Sequence, residues 1–252
     1  MAQVHQGTAL ITGASSGMGA IYADRLARRG YDLILVARNR DRLATVADRI
    51  TNETQRSVQT VGADLNDRSA LATIEAKLRQ DSGITLLVNN AGVGTHTPLL
   101  ESDVDAMTRM IDLNVTALTR LTYAAVPGFV ARGKGAVINI SSIVAIAPEI
   151  LNGVYGGSKA FVLAFSQSLH HELADKGVQV QAVLPGATAT DFWRAGGLPL
   201  EHLPKEIVMS AEDMVDAALT GFDRRELVTI PSLHAGEEWA AYEAARRTMS
   251  GP

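Results

Sequence analysis

The stretch that decides the fold is TALITGASSGMG, residues 8–19. It joins a run of β-branched and aliphatic residues, 8–12, to a turn that carries Gly13, Gly17 and Gly19. Glycine permits a tight turn from a strand into a helix and lets backbone N–H groups approach a phosphate. The spacing G-x-x-x-G-x-G differs from the G-x-G-x-x-G of the common dinucleotide fingerprint. Because a helical pattern follows, the segment predicts a strand, a phosphate-binding turn and a helix.

Short apolar runs alternate with helical patterns along the rest of the chain. Strands are predicted at residues 8–12, 32–37, 57–61, 85–89, 136–140, 178–184 and 227–230. Helices are predicted at 17–29, 40–52, 67–81, 101–132, 152–177 and 210–223, with a kink or break at Pro127 and Gly128. Most strand runs are continuously apolar, which indicates helices on both faces. We therefore predict one α/β domain over residues 1–252, a doubly wound parallel sheet of about seven strands.

Composition narrows the functional classes. The 252 residues are 46% hydrophobic and 20% charged, as in globular proteins. No apolar run reaches the roughly 18 residues of a membrane span, and residues 1–7 do not read as a secretory signal. The absence of cysteine excludes thiolate catalysis and agrees with a predicted cytoplasmic location. A net charge of −4 argues against nucleic-acid and membrane partners, so we expect a small-molecule ligand. The histidines lack metal-ligand spacing, and no metal is predicted.

The end of the second strand bears on the choice of dinucleotide. An acidic residue there would bind the ribose 2′-hydroxyl of NAD. The chain instead reads ARNR at residues 37–40. Arg38 can form a forked, charge-assisted hydrogen bond with a 2′-phosphate, which predicts NADP(H) rather than NAD(H). The alternative is that Arg38 is a solvated loop cation.

A tyrosine and a lysine share one helix face in the segment YGGSK. Tyr155 and Lys159 are four residues apart, and a neighbouring ammonium lowers the pKa of a phenol toward neutral pH. By itself such a pair is an ordinary surface pair. However, Ser142 follows the fifth strand, and the polar segment 89–92 follows the fourth. Asn114 interrupts a helical pattern, either as an exposed residue or as the mark of a local distortion.

Together these positions resemble the short-chain dehydrogenase/reductase family over almost the whole chain. The family's glycine motif matches residues 12–19, its adenine-site acid matches Asp64, and its NNAG motif matches residues 89–92. Its four catalytic residues match Asn114, Ser142, Tyr155 and Lys159, and its PG motif matches Pro185 and Gly186. In this family a second basic residue that selects NADP can occur within the glycine turn. Serine occupies that position here, at Ser16, so Arg38 is the one basic determinant of NADP preference that the sequence offers.

The resemblance implies an NADP(H)-dependent oxidoreductase that transfers a hydride to or from a carbonyl carbon. Ser142 would orient the substrate oxygen, Tyr155 would donate its proton, and Lys159 would bind the nicotinamide ribose. Asn114 would hold a water that leads to solvent. The residues implied to contact the cofactor are Gly13, Ser15, Ser16, Gly17, Met18, Gly19, Arg38, Asp64, Leu65, Asn90, Ala91, Gly92, Tyr155, Lys159, Pro185, Gly186, Thr188 and Thr190. Homodimers or homotetramers, formed through helices 101–132 and 152–177, are also implied.

The segment 188–210 is predicted to be a lid over the substrate, since long irregular segments after a strand end often close active sites. Its Phe192 and Trp193 either line the pocket or pack into the core. The substrate contacts we predict are Ser142, Val144, Tyr155, Phe192 and Trp193, with His96 and Ile150 in the same pocket. These side chains favour an apolar ketone, aldehyde or secondary alcohol without a large anionic group.

Two other functional classes stay in view. Residues 13–17 also read G-x-S-x-G, the nucleophile elbow of α/β hydrolases, but too little chain precedes them to complete an oxyanion hole. A cofactor-binding redox regulator without turnover is the second alternative. It would not require both Tyr155 and Lys159.

Overall fold

Seven parallel strands form one sheet in the computed structural model, which describes residues 5–233, 236–249 and 251. The strands are β1 (Thr8–Thr12), β2 (Asp32–Ala37), β3 (Val58–Gly62), β4 (Ile84–Asn89), β5 (Gly135–Ile140), β6 (Val178–Val183) and β7 (Val228–Thr229). Their order in the sheet is β3-β2-β1-β4-β5-β6-β7, and every neighbouring pair is parallel. The predicted doubly wound sheet is confirmed.

Helices cover both faces of the sheet. They are α1 (Gly17–Arg28), α2 (Arg40–Thr54), α3 (Arg68–Gln80), α4 (Val104–Ile111), α5 (Leu118–Ala131), α6 (Gly153–Leu173), α7 (Phe192–Ala195), α8 (Ala211–Asp223) and α9 (Glu237–Met249). Alternate residues of β1 point to opposite faces. Ala9 and Ile11 pack in a core with α1, α2 and α8, whereas Leu10 packs in a second core with α3, α5 and α6. This double burial explains why the strand runs are continuously apolar.

The long helix predicted at 101–132 is interrupted at Asn114, one of the two places that the sequence suggested, and not at Pro127. A π-helical segment, Asp112–Ala117, separates α4 from α5. The break expected at Pro127 and Gly128 is wrong, because α5 continues through Pro127. Pro127 is exposed, so the carbonyl that loses its helical partner can bond water instead. The interruption at 112–117 places Asn114 inside the distorted turn.

Two features of the C-terminal part went beyond the sequence prediction. Helix α9 was not predicted, although acidic residues in its first turn and Arg246 and Arg247 in its last turn are typical helix-end signals. Trp239 packs α9 against the core around β7. In the predicted lid segment, a parallel bridge between Thr188 and Met209 brings the two ends together. None of the helices in the described ranges is long and apolar enough to cross a membrane.

Candidate active site

The glycine turn lies at the point where the strand order reverses, between β1 and β4. Gly13 and Gly17 have φ angles of +68° and +52°, in the left-handed region that favours glycine. A Cβ atom on Gly13 would lie 2.8 Å from Asn90 Nδ2 and 2.9 Å from Ala91 Cα. The loop after β4 therefore packs directly against the backbone of the turn.

Hydrogen bonds join these two loops. Thr12 Oγ1 accepts from the backbone N–H groups of Asn90 and Ala91, each at 3.0 Å. Asn90 Nδ2 donates to the carbonyl oxygens of Thr12 at 2.9 Å and Gly13 at 3.2 Å. At the start of α1, the Ser16 side chain makes no capping hydrogen bond. The first N–H groups of α1 are thus not capped by that side chain, and this turn fits the pyrophosphate of a dinucleotide.

The residues predicted for the adenosine end lie after β2 and β3. Ala63 N donates to Ala37 O at 3.0 Å, which brings the two strand ends side by side. Leu65 is buried, and Asp64 Oδ1 accepts from Asn66 N at 3.0 Å. Arg38 is exposed and has no hydrogen bond or ion pair with any other described residue. Its guanidinium is available to a ligand phosphate.

The start of α6 positions the tyrosine and the lysine. Asn152 caps the helix by accepting from Val154 N at 2.9 Å and Tyr155 N at 3.3 Å. Tyr155 and Lys159 then lie one turn apart, and the Lys159 ammonium is 5.9 Å from the centroid of the Tyr155 ring. Ser142 forms a hydrogen bond with the Tyr155 side chain. Three of the four predicted catalytic side chains therefore meet at one place.

Burial controls the ionisation of this pair. Tyr155 is 5% exposed and Lys159 is 6% exposed. Burial raises the pKa of Tyr155 to about 12, and the hydrogen bond with Ser142 offsets only part of that shift. Burial also lowers the pKa of Lys159 to about 8. In the protein alone desolvation outweighs the lowering of the Tyr155 pKa predicted from Lys159, because burial penalises both charged forms and Lys159 Nζ donates to Ile140 O at 2.9 Å. The effect of Lys159 on the tyrosine in the complex with the cofactor stays a prediction.

The Asn114 side chain joins the loop after β4 to helix α6 by hydrogen bonds. Its Oδ1 accepts from Val93 N at 3.0 Å, and its Nδ2 donates to Val93 O at 2.8 Å and to Ser158 Oγ at 3.1 Å. The side chain is 1% exposed, so of the two alternatives for Asn114 the local distortion is correct. Gly92 separates it from the lysine: a Cβ there would lie 3.1 Å from Asn114 Oδ1 and 3.4 Å from Lys159 Nζ.

A cleft of about 880 Å³ opens above these residues. The predicted site residues that line it are Met18, Asn90, Gly92, Ser142, Val144, Tyr155, Lys159, Pro185, Gly186, Thr188, Thr190, Phe192 and Trp193. Phe192 and Trp193 are partly exposed and line the cleft, and Phe192 also packs against the buried cluster around Tyr155, so both alternatives apply to Phe192. The Phe192 ring centroid is 5.8 Å from that of Tyr155.

Some residues differ from expectation. Ile150 lines the cleft as expected, but His96 does not, because its Nδ1 pairs with Gly196 O at 3.0 Å. Sequence reasoning missed the positioning role of Ser141, whose hydroxyl donates to Lys159 O at 2.7 Å. It also missed two carboxylates in the cleft wall, Glu206 and Asp213. A long-range contact such as Ser141 to α6 leaves no signal in local spacing.

A glycine turn at the strand-order reversal, facing a buried serine, tyrosine and lysine, defines a dinucleotide-dependent dehydrogenase site. The family model described as short chain dehydrogenase matches residues 7–197. The chain belongs to this family, as the sequence predicted.

Solved structures resemble the chain over nearly its full length. A short-chain dehydrogenase from Sphingobium yanoikuyae, in complex with NADPH, is 49% identical with a TM-score of 0.94, covering 98% of this chain and 96% of that one. The bulky-bulky ketone specific alcohol dehydrogenase from Comamonas testosteroni is 45% identical with a TM-score of 0.90, covering 99% of this chain and 96% of that one. Both relatives support an oxidoreductase over a regulator without turnover.

A curated relative differs in length. The very-long-chain 3-oxoacyl-CoA reductase of Bos taurus is 37% identical over 186 residues, which are 72% of this chain. The alignment spans 59% of the length of that relative.

Lys159→Met tests how burial of the Lys159 ammonium affects the stability of the protein without cofactor. The folded-state pKa of about 8 lies below the ordinary value of 10.5, so between these values the unfolded chain binds more protons. Stability from this group is therefore present at high pH and is lost as the pH falls through about 8. From about pH 7.5 to about pH 9.5, the free energy of unfolding of the wild type should rise by about 2 kcal/mol relative to the variant.

Urea unfolding at the two pH values measures this difference. Lys176→Met, with a side chain 45% exposed, is the matched control and should follow the wild type. A difference between wild type and Lys159→Met that stays constant with pH would contradict the assigned desolvation.

Proposed function

We propose that the protein is an NADP(H)-dependent carbonyl reductase, or alcohol dehydrogenase in reverse, acting on neutral ketones with a bulky group on each side of the carbonyl. The observation that carries the proposal is the meeting of Ser142, Tyr155 and Lys159 in an 880 Å³ cleft that reaches Met18, in the first turn of α1. Cofactor and substrate would therefore share one cavity.

The residues present fit NADP(H). The turn at Gly13 and Gly17 and the start of α1 suit a pyrophosphate, while Arg38 is exposed and unpaired among the described residues. No carboxylate ends β2, which disfavours NAD(H). The Sphingobium relative in complex with NADPH supports the same choice.

In this mechanism Ser142 and Tyr155 bind the substrate carbonyl oxygen. The bound nicotinamide supplies the hydride. Because burial holds the pKa of Tyr155 at about 12, its hydroxyl stays protonated at neutral pH and can donate to the oxygen as negative charge develops there. Lys159 lies 5.9 Å from the ring centroid, and its ammonium stabilises the tyrosinate once the proton has left. Asn114 would act indirectly, because its hydrogen bonds with Val93 and Ser158 hold the wall of the cleft in place.

The cleft favours a neutral substrate. Apolar side chains from several elements line it, with Val144, Leu151 and Phe192 around Tyr155. The cleft wall also contains the carboxylates Glu206 and Asp213. Both carboxylates are exposed and make this part of the cleft wall negative, which disfavours the phosphates of an acyl-CoA, the substrate class named for the bovine relative. The Comamonas relative, named for bulky-bulky ketones, supports the ketone assignment.

A redox regulator would not require this arrangement. A buried lysine and a buried tyrosine each carry a desolvation cost that a purely binding site has no need to bear. Their position beside Ser142 favours turnover.

We also propose a cytoplasmic homodimer or homotetramer that associates through the α5–α6 face. On this face Tyr123, 68% exposed, stacks on Phe165 with ring centroids 6.4 Å apart, and Phe161 stacks on Phe165 at 5.6 Å. Val162 and Leu169, on the same helix as Phe161, are buried within the chain itself. Exposed aromatic side chains of this kind are typical of interfaces.

Tyr155→Phe tests the proton donor. The variant should lose about a thousandfold in kcat for ketone reduction, because it removes the hydroxyl while keeping the ring in place. NADPH binding, followed by the change in its fluorescence, should stay near the wild-type affinity. A variant that keeps near-normal kcat would refute the role of Tyr155.

Arg38→Asp tests the choice of dinucleotide. The kcat/KM for NADPH should fall about a hundredfold, the loss of two charge-assisted hydrogen bonds of about 1.5 kcal/mol each, while that for NADH stays level or rises. Steady-state kinetics with both cofactors give the ratio. Arg224→Asp, at an exposed arginine after α8, is the control. Equal losses with both cofactors in Arg38→Asp would contradict the assignment.

The interface is tested by Tyr123→Glu combined with Phe161→Glu. Burying two carboxylates in an apolar interface costs more free energy than the interface contributes to association. The double variant should therefore elute as a monomer in size-exclusion chromatography with light scattering. Thr73→Glu, on an exposed position of α3, should leave the wild-type assembly intact. An unchanged mass for the double variant would place the interface elsewhere.

A further inference from the structure

The side chain of Phe192 stands between the cleft and the loop after β4. Its ring lies 5.8 Å from the Tyr155 ring at an interplanar angle of 46°, and it lines the cleft. Behind the ring lies Gly94. A Cβ atom on Gly94 would clash with Phe192 Cζ, and it would lie 3.2 Å from Phe192 Cε2 and 3.0 Å from Tyr155 Cε2. The phenylalanine ring therefore occupies the space that any larger residue at position 94 would need.

The ring has no room to retreat on that side. The space enclosed by Gly94, His96, Gly196 and the Phe192 ring is only about 10 Å³, at the lower limit of what holds one water molecule. Gly94 meets the ring at its Cζ–Cε2 edge, and Phe192 also borders the cleft of about 880 Å³. The cleft is by far the larger of these two spaces beside Phe192, so it offers the room for a ring displaced from Gly94.

The backbone that carries Phe192 is also held against the loop after β4. The carbonyl oxygen of Gly196 accepts from Thr95 Oγ1 at 3.4 Å and pairs with His96 Nδ1 at 3.0 Å. A Cβ on Gly196 would lie 2.9 Å from Gly94 O, so two glycines meet face to face at this contact. Trp193 Nε1 donates to Thr188 O at 2.8 Å and holds the next residue. These contacts hold the main chain of the lid in place. A displacement of the Phe192 ring therefore cannot be relieved by a shift of that main chain without a cost in free energy.

We infer that Gly94 is a specificity-determining position that acts through Phe192. Its missing side chain lets the Phe192 ring sit back from the cleft, which leaves space beside the Tyr155 hydroxyl for the second bulky group of a ketone. Gly94 itself touches no substrate, so it positions the ring that does. The inference rests on the proposed ketone reductase activity and adds the residue that sets the width of the site.

Gly94→Ala tests this inference. The added methyl group displaces the Phe192 ring and also lies close to Tyr155, so kcat/KM can fall for both ketones, but the fall for cyclohexyl phenyl ketone should be about tenfold larger than that for acetophenone. NADPH oxidation by the full-length protein measures both. Gly153→Ala is the matched control, since a Cβ there meets no atom within 4 Å, and it should leave both values unchanged.

Phe192→Ala in the Gly94→Ala background should restore the ratio of the two kcat/KM values, because the new methyl group then finds the space the ring has left. A role of Gly94 in folding alone would not be rescued by this second change. An equal loss with both ketones in Gly94→Ala, or no rescue in the double variant, would overturn the inference.

A readout without turnover separates this inference from the proposed function. The Phe192 and Trp193 rings meet edge to face at 5.8 Å, so displacement of Phe192 alters the surroundings of Trp193. In a Trp239→Phe background, which leaves Trp193 as the single tryptophan, Gly94→Ala should shift the emission spectrum and Gly153→Ala should not. Unchanged emission would overturn the displacement of the ring. Failure of the wild type to reduce any ketone would instead overturn the proposed function.

Discussion

The hydrogen bonds between the end of β1 and the loop after β4 are the junction on which the rest of the site depends. Thr12 Oγ1 and the Asn90 amide lock the glycine turn against residues 90 and 91. The turn is the part that suits a pyrophosphate. The same loop continues to Gly92, beside Lys159, and to Gly94, behind the ring of Phe192. One junction therefore sets the distance between the cofactor end and the substrate end of the cleft.

Burial is the second constraint, and it determines the chemistry. Removing Tyr155 and Lys159 from water stabilises the neutral form of each, so the pKa of the tyrosine rises and that of the lysine falls. A neutral phenol next to a potential cation is suited to giving a proton to an oxygen that is gaining charge. Asn114 and Ser141 keep this pair in place from behind, through Ser158 and the backbone of α6. The protonated phenol is the form in which Tyr155 can act as the proton donor of a reduction at neutral pH.

Much of the fold was predictable because its signals are local. Apolar runs, most of them continuous, identified the seven strands, and the residues after them identified Ser142 and the segment 89–92 as parts of one edge of the sheet. The predictions that were wrong or absent concern places where contacts between residues far apart in the sequence outweigh local sequence preferences. Pro127 leaves α5 unbroken on the solvent side, and the helix is instead distorted at Asn114, which bonds to Val93 in another loop. Helix α9 has end signals, but its place depends on Trp239 packing at β7.

The sequence by itself determined the family and the sheet and predicted which side chains react, because spacing along a strand or helix dictates which residues share an edge or a face. Helical spacing placed Tyr155 and Lys159 together, yet it could not reveal the depth of their burial. Only the tertiary structure decided the direction of their pKa shifts and placed Phe192 in the cleft wall beside Tyr155. Desolvation and packing depend on atoms from distant segments, such as Gly94 behind the ring, and local sequence carries no measure of them.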